Sequence, residues 1–359
     1  MTKIWQYRIL LSVRREIVWA GVIGISFGLI IAFGVLRINS SLNKSKSGAP
    51  VATPIPQNPT AEFKIALNTP GDNDVVTTSP ISVSGITKSL TWTVVSGEGR
   101  DYILQSDEKG IFAQDVDLAP GVNQIRLAAF DPGGTQSSQK VLVVYSSAFQ
   151  LETVAFPTPG STATGDAAIA TGDNAIREKV AQKVAQAMSQ PKAYVGVVTD
   201  IADSTIQIKT PESQIEQISI DDPNITAVNT KGKGNKQVKL TDIAIGDFIV
   251  AMGYVNGNQV LKAQRILITD PLQDSKLSAS FGKVTGTTKK SLTVSDIKKG
   301  EGSTVTPDKN TSVESFTGGK TSSIKIAAIA TGDLIIYITD QSGTSPTVRS
   351  IFDIGKPQG

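Results

Sequence analysis

The chain of 359 residues contains neither cysteine nor histidine, and its formal net charge is +3. Without cysteine there is no disulfide framework, no thiolate nucleophile and no thiolate metal ligand. Without histidine the commonest general base and any histidine-containing triad are absent as well. An enzyme with this sequence would have to use carboxylates, lysine, tyrosine or serine alone, and the lack of thiols suits a chain that works outside the cytoplasm.

The positive charge is concentrated at the N-terminus. Residues 1–60 carry seven lysine and arginine residues against one acidic residue, whereas residues 193–359 carry eighteen against seventeen. Binding to a phosphate backbone needs a basic patch. The nearly neutral remainder of the chain therefore predicts no nucleic-acid partner.

An uncharged run of twenty residues extends from Ile17 to Leu36. A helix of about twenty apolar residues crosses the hydrocarbon core of a bilayer. We therefore predict an N-terminal transmembrane helix over residues 17–37 that follows a basic cytoplasmic head at residues 1–16, with the bulk of the chain extracytoplasmic. A cleaved signal peptide is the alternative interpretation, although its apolar region would be shorter.

The same run predicts a location and two kinds of contact. The localisation would be the cell membrane, with a single pass and a cytoplasmic N-terminus, and residues 17–36 would contact the lipid bilayer. Gly24 and Gly28 form a small-xxx-small pair. Such a pair lets two helices approach closely, which would support a weak homodimer.

Residues 38–60 are predicted to be a Pro-rich linker, and residues 61–147 an all-β domain. The second segment consists of short runs of alternating apolar and polar residues, separated by Gly and Pro turn signals. Strands of this length and spacing indicate a sandwich. Leu90, Trp92 and Val94 would share one strand face, so Trp92 is predicted to lie in the core or, alternatively, to stack on a glycan.

Three stretches of this domain carry a family resemblance, and they are Pro80–Gly85, Gly110–Phe112 and Leu118–Asp131. Their pattern resembles the bacterial immunoglobulin-like domain of the glucodextranase accessory type. The resemblance implies an Ig-like β-sandwich with a spacer or adhesive role, and it implies no ligand. Lys109 stands where the family usually has Asp, a departure that touches only the turn.

Residues 148–173 are predicted to be a flexible linker, and residues 174–190 a short linker helix. Ile176, Val180 and Val184 recur every four residues in the second segment. This spacing is typical of an amphipathic helix. Its apolar stripe would pack on the neighbouring domain or, alternatively, seat a partner helix.

A tandem duplication follows, with copy 1 at residues 193–271 and copy 2 at residues 280–356. The matching pairs of motifs are Gly196–Thr199 with Gly282–Thr285, and Ile243–Val250 with Ile329–Ile336, both 86 residues apart. Each copy then closes on an arginine followed by an apolar strand, at Arg265 and at Arg349.

This layout resembles a family of small OB-like β-barrels of unknown function from bacterial envelope proteins. The resemblance implies two small closed barrels and no activity. We expect Gly246 and Gly332 to occupy equivalent tight turns with positive φ. The strands that follow them are apolar on both faces, so each is expected to be central and covered on both sides.

Three polar clusters are candidates for ion binding. Asp72–Asp74 and Asp221–Asn224 offer oxygen ligands, but they are too short for a calcium loop with five or more oxygens, and Asx residues favour turns. Lys231–Lys236 is an anion-binding loop or a solvated hairpin tip, and it lacks the strand-to-helix setting of a phosphate loop. We predict no catalytic, cofactor-binding or metal residues and no cofactor.

The predicted fold class is mainly β, with an N-terminal transmembrane helix, an Ig-like β-sandwich, a short linker helix and two tandem small OB-like β-barrels. The predicted function is that of a membrane-anchored, extracytoplasmic binding or scaffold protein of the cell envelope without catalytic activity. Its partner would be another envelope protein or a cell-wall polymer. The alternative is a cell-surface glycan-binding protein or an accessory subunit of an envelope hydrolase.

Overall fold

A computed structural model describes residues 63–151, 190–232 and 234–356. The chain divides into two units, Met1–Ala61 and Glu62–Gly359, and every described residue lies in the second. The predicted cytoplasmic head, the apolar run with Gly24 and Gly28, the Pro-rich linker, and nearly all of the second linker and its helix lie outside the described residues.

The first eight strands form two sheets that face each other. They are β1 (Ala66–Thr69), β2 (Asp74–Val76), β3 (Ile81–Ile86), β4 (Trp92–Ser96), β5 (Asp101–Gln105), β6 (Ile111–Val116), β7 (Gly121–Phe130) and β8 (Gln136–Tyr145). One sheet has the order β1-β3-β6, and the other runs β2-β8-β7-β4-β5. Alternation sends one side chain in two inward, so Val83, Phe112 and Ile125 meet in a shared core.

Seven strands and a short 3-10 helix at Leu240–Asp242 make up copy 1. The strands are β9 (Lys192–Ile201), β10 (Thr205–Lys209), β11 (Ile215–Ser219), β12 (Thr226–Asn229), β13 (Lys236–Val238), β14 (Phe248–Val255) and β15 (Val260–Thr269). β14 lies between β9 and β15. Its two faces enter different apolar clusters, through Ile249 on one side and Val250 on the other. The prediction of a central strand covered on both faces is confirmed for copy 1.

Copy 2 repeats this series with a 3-10 helix at Ile326–Ala328. Its strands are β16 (Leu277–Thr287), β17 (Leu292–Asp296), β18 (Gly302–Val305), β19 (Ser312–Thr317), β20 (Lys320–Ser323), β21 (Leu334–Asp340) and β22 (Thr347–Gly355). They form a separate seven-stranded sheet with the order β18-β17-β16-β21-β22-β19-β20. The two copies therefore lie in different sheets.

The turns before β14 and β21 are equivalent, as the duplication predicts. Gly246 has φ of 94° and Gly332 has φ of 98°. The Gly246 N–H donates to the Val198 carbonyl at 2.9 Å, and the Gly332 N–H donates to the Val284 carbonyl at 2.8 Å. Only glycine adopts such φ values without strain. The expectation of matching tight-turn glycines is confirmed.

The predicted fold class is nevertheless wrong beyond its mainly β character. The described residues contain strands and two 3-10 helices but no α-helix. The second sheet of the first eight strands does not end there, because β2 pairs with β9 and joins copy 1 in one twelve-stranded sheet. Copy 2 is an open sheet. One sheet that continues from the first eight strands into copy 1, together with a separate open sheet in copy 2, therefore replaces the predicted independent sandwich and two closed barrels. The name sandwich is kept below only for the two facing sheets of β1 to β8.

The physical reason for the joined sheet is the pair of open edges on β2 and β9. Unpaired backbone groups at a sheet edge are costly unless something satisfies them. The Ala193 N–H donates to the Asn73 carbonyl at 2.8 Å, and the Val75 N–H donates to the Pro191 carbonyl at 3.0 Å. The periodicity of a single segment does not predict this pairing between segments.

The predicted localisation is corrected as well. Within residues 63–151, 190–232 and 234–356, no helix combines the length and the hydropathy that crossing a bilayer requires. The run at 17–36 that motivated the prediction lies outside that part of the chain. A transmembrane helix and a single-pass membrane localisation therefore have no support in the described residues.

Candidate functional site

The first acidic cluster holds strands together. Asp72 Oδ1 accepts a hydrogen bond from the Leu142 N–H at 2.8 Å, and Asp74 Oδ2 accepts one from the Gly71 N–H at 2.7 Å. Asp74 Oδ1 also lies 2.6 Å from Lys192 Nζ at the start of β9. The carboxylates thus fix β2 between β8 and β9.

The second acidic cluster forms a turn. Asp222 Oδ1 accepts a hydrogen bond from the Asn224 N–H at 2.9 Å, which is the geometry of an Asx turn. A hydrogen bond from the Ser219 hydroxyl lowers the pKa of Asp221 below its ordinary value. In the part of the chain that the structure describes, no three metal-ligating side chains of the Asp and Glu type come together.

The basic loop begins with a lysine that a carboxylate of the same chain engages. Lys231 Nζ lies 2.8 Å from Asp247 Oδ1. This hydrogen bond is the main reason that the pKa of Asp247 is lowered. Lys231 is therefore committed to the turn after Gly246, which weighs against an anion at the tip of the hairpin.

Trp92 lies at a joint between modules. Its ring meets Phe316 of β19 edge-on, with centroids 5.0 Å apart and planes at 89°. Leu90 does not share its strand face, because β4 begins at Trp92, Leu90 has φ of 54° and the residue is 52% exposed. Trp92 is thus half-buried against copy 2, neither in the core of its own sandwich nor free to stack on a glycan.

A buried ion pair marks the same joint. The Asp101 side chain is fully buried; its Oδ2 accepts a hydrogen bond from Ser350 Oγ at 2.6 Å and lies 3.3 Å from Arg349 Nε. Arg349 Nη2 donates to the Gly97 carbonyl at 2.7 Å and to the Glu98 carbonyl at 3.2 Å. Pairing and hydrogen bonding offset the cost of burying a charge, and here they act on Oδ2, because the buried Oδ1 has no hydrogen-bond partner among the described residues. This network fixes β22 against β5.

Apolar side chains complete the joint. One cluster contains Val94, Ile103 and Phe130 of the sandwich together with Ile336 and Phe352 of copy 2. The outer face of β21 and β22 is therefore covered by the outer face of β4, β5 and β7. Packing of two sheets face to face removes both apolar faces from water.

The corresponding region of copy 1 contains a groove of about 470 Å³. One wall is the outer face of β12, β14 and β15, and the other is the end of the sandwich around the start of β7 and the turn after β8. The apolar lining residues are Val122, Tyr145, Val228, Phe248, Val250, Leu267 and Leu272. A volume of this size lies within the range of ligand-binding clefts, about 300–1,000 Å³.

Arg265 is the basic residue in this lining. Its Nη1 donates to Thr226 Oγ1 at 3.2 Å. Its Nε is buried and has no hydrogen-bond partner among the described residues. Burial lowers the pKa of the guanidinium, although an arginine remains protonated in proteins. The groove therefore combines apolar walls and the carboxylate of Asp270 with a positive charge that lacks an acceptor at one nitrogen.

Strand pairing corrects the predicted equivalence of Arg265 and Arg349. Arg265 lies opposite Met252, and Ser350 lies opposite Ile338, the residue that corresponds to Met252. The parallel partners agree, since Arg265 pairs with Thr226 and Ser350 with Ser312, 86 residues further along. Arg265 is therefore equivalent to Ser350, and the hairpin in copy 2 is one residue shorter.

The groove was not predicted from the sequence. Its residues come from five separate stretches of chain, and the sequence marks Arg265 only as the start of a closing strand. The comparison of the two sequences aligns Arg265 with Arg349, and only the strand pairing shows that a serine stands at the equivalent position of copy 2. The arrangement can hold an apolar group and a carboxylate together, and it contains no paired carboxylates for acid–base chemistry.

No family model matches the chain, and no curated protein matches it. Similar solved structures include a tetra-tandem repeat in the extending region of a large adhesion protein, with 11% identity and a TM-score of 0.21 over 82% of this chain and 74% of that chain. Another is Bacteroides ovatus SGBP-B in complex with a mixed-linkage heptasaccharide, with 14% identity and a TM-score of 0.17 over 87% and 71%. TM-scores at this level do not establish a shared fold. The glucodextranase-type and OB-like resemblances gain no support, and a modular, mainly β protein remains.

Proposed function

We propose that this chain is a binding or scaffold protein that works outside the cytoplasm and has no catalytic activity. The observation that supports this proposal best is that the most buried charged pairs join one part of the fold to another. Asp74 with Lys192 and Asp101 with Arg349 are the closely paired groups that lie deepest in the joints, and each pair fixes one module to the next. Paired charges that tie elements together favour a preformed surface over a reactive cleft.

The joints also have the chemistry of permanent contacts. Beside the ion pairs, the Gln124 side-chain amide donates to the Gln273 carbonyl at 2.6 Å, and its carbonyl accepts from the Ser275 N–H at 3.2 Å. Both groups of one amide are thus used to hold the segment that links the two copies. Preorganised surfaces bind with a smaller entropic cost than mobile ones, which is what a scaffold requires.

Capture by the full-length chain tests the proposal. The immobilised chain is incubated with an extract of the source cells' envelope, and retained components are identified and then purified for calorimetry with the chain alone. We expect saturable binding of one protein or cell-wall polymer that is recovered unmodified. Chemical conversion of that component by the chain, or no retention beyond that of heat-unfolded chain, would contradict the proposal.

A further inference from the structure

The outer faces of the two copies are equivalent, but a strand covers this region in copy 2. There, β5 of the sandwich lies over β19 and β22. Asp101 accepts a hydrogen bond from Ser350 Oγ, and Arg100 Nη2 lies 3.6 Å from Glu314 Oε1. The contacts show that this face is able to accept an extended strand that presents a carboxylate.

The same positions of copy 1 line the groove. Arg265 corresponds to Ser350 through their strand partners, and Val228 corresponds to Glu314 at the offset of 86 residues. Both residues of copy 1 belong to the lining of the 470 Å³ groove. Val75, Val144 and Phe149 cover part of this face of copy 1, and the groove lies at the positions that β5 contacts in copy 2. The duplication therefore indicates what the groove would hold.

The charge at this position points to the chemistry of the occupant. Arg265 forms no ion pair with an acidic side chain among the residues that the structure describes, and its buried Nε has no acceptor. A buried N–H without an acceptor is unfavourable. A planar guanidinium matches a carboxylate through two parallel hydrogen bonds. In copy 2 the equivalent serine already contacts a carboxylate.

We propose that the groove of copy 1 binds an extended peptide segment of a partner protein, with an Asp or Glu carboxylate at Arg265 and apolar side chains against Leu267 and Leu272. This inference rests on the proposed binding function and deepens it. The peptide takes the role that β5 plays for copy 2. The guanidinium accounts for the selection of an acidic residue, and the apolar walls account for the residues beside it.

Selection from a random heptapeptide phage library tests the inference even while the partner is unidentified. The full-length chain is the immobilised target, and enriched peptides are synthesised with a fluorescent label for anisotropy titrations. We expect enriched sequences to place Asp or Glu beside apolar residues. Loss of a charge-assisted bidentate contact weakens binding, so Arg265→Gln should raise the Kd about tenfold or more.

Matched variants separate the groove from general electrostatics. Arg265→Lys keeps the charge but loses the planar guanidinium that makes two parallel hydrogen bonds. Its Kd should lie between those of the wild type and Arg265→Gln. Lys283→Gln removes the same charge from an exposed position of β16 in copy 2 and should leave the Kd unchanged. Circular dichroism and the melting temperature of each variant show whether it has kept its fold.

Four outcomes would overturn the inference. The first two are a library that yields no binder and a library whose binders lack a carboxylate. The third is a set of binders that retain their affinity for a folded Arg265→Gln variant. The fourth is complete competition by acetate at the same concentration as the peptide, which would indicate a site for small carboxylates. If Arg265→Gln captures the envelope partner as well as the wild type does, the groove inference fails while the binding function stands. If the wild type captures nothing, the proposed function itself fails.

Discussion

Replacement of Arg349 by glutamine tests the joint between the sandwich and copy 2. The Asp101 carboxylate is fully buried, whereas the Arg349 side chain keeps 21% of its exposure. In Arg349→Gln the carboxylate stays buried with the Ser350 hydroxyl as its remaining donor. Removal of one partner from a buried pair costs about 3–5 kcal/mol. Because Ser350 remains and Arg349 is partly exposed, we expect a loss of about 2–4 kcal/mol.

The measurement is unfolding of the full-length chain by urea and by heat. Circular dichroism and tryptophan fluorescence both monitor it, so that coincidence of the two transitions can be verified. For a unit of this size a loss of 1 kcal/mol lowers the melting temperature by about 2–4 °C. Arg349→Gln should therefore lower it by about 5–15 °C. Lys140→Gln, which removes an exposed pair with Asp274, is the control and should cost less than about 1 kcal/mol.

A double-mutant cycle shows whether the buried charge is the cause. Asp101→Asn removes the charge and leaves Arg349 able to reach solvent, so the double variant Asp101→Asn with Arg349→Gln should be more stable than Arg349→Gln alone. Strictly additive losses, or an Arg349→Gln variant no less stable than Lys140→Gln, would refute the reasoning that the joint depends on this pair.

Three further predictions follow from single positions. Gly246→Ala and Gly332→Ala should each cost about 1–2 kcal/mol in urea unfolding, because both backbones have positive φ and a Cβ would meet nothing within 4 Å; clearly unequal losses would contradict the equivalence of the turns. Burial, and then nearby Asp333, raises the pKa of Asp353, so the stability from this group is present at low pH and is lost as the pH rises through the folded pKa. Asp353→Asn should therefore be more stable than the wild type at pH 7 but not near pH 3, which is roughly below the pKa of an unfolded Asp. An equal change in the free energy of unfolding at both pH values would contradict this prediction. Calcium or a chelator should leave the melting temperature unchanged, since Asp72 and Asp74 are engaged by backbone N–H groups and Lys192; a calcium-dependent rise of several degrees would contradict this.

Local patterns predicted the parts of the fold that local physics determines. Alternation located most strands, because side chains point alternately to the two faces of a sheet. The repeated Gly-Asp motif predicted two equivalent turns, because the φ values at Gly246 and Gly332 require glycine. Leu90 shows the limit of the method, since its alternation with Trp92 and Val94 continues one residue pair beyond the start of the strand.

The joints could not be predicted from the sequence because the residues that meet there are far apart along the chain. Asp101 meets Arg349 and Ser350 across about two hundred and fifty residues, and no pattern within either segment specifies that contact. The alignment of Arg265 with Arg349 failed for a related reason. Sequence similarity placed two arginines together, whereas strand pairing shifts the register by one residue within the hairpin. A slip of one residue turns a side chain to the opposite face of a strand.

The difference between Arg265 and Ser350 explains how one duplicated face serves two roles. Ser350 is short enough for Asp101 to approach its hydroxyl to 2.6 Å, which brings β5 close to copy 2. An arginine at that position adds three methylene groups and a planar fork, and a strand packed at the same distance would overlap it, since interiors are too dense to absorb such a volume. Arg265 therefore leaves no room for a strand packed on copy 1 as β5 is packed on copy 2, and the same side chain would supply the charge by which the groove selects its peptide.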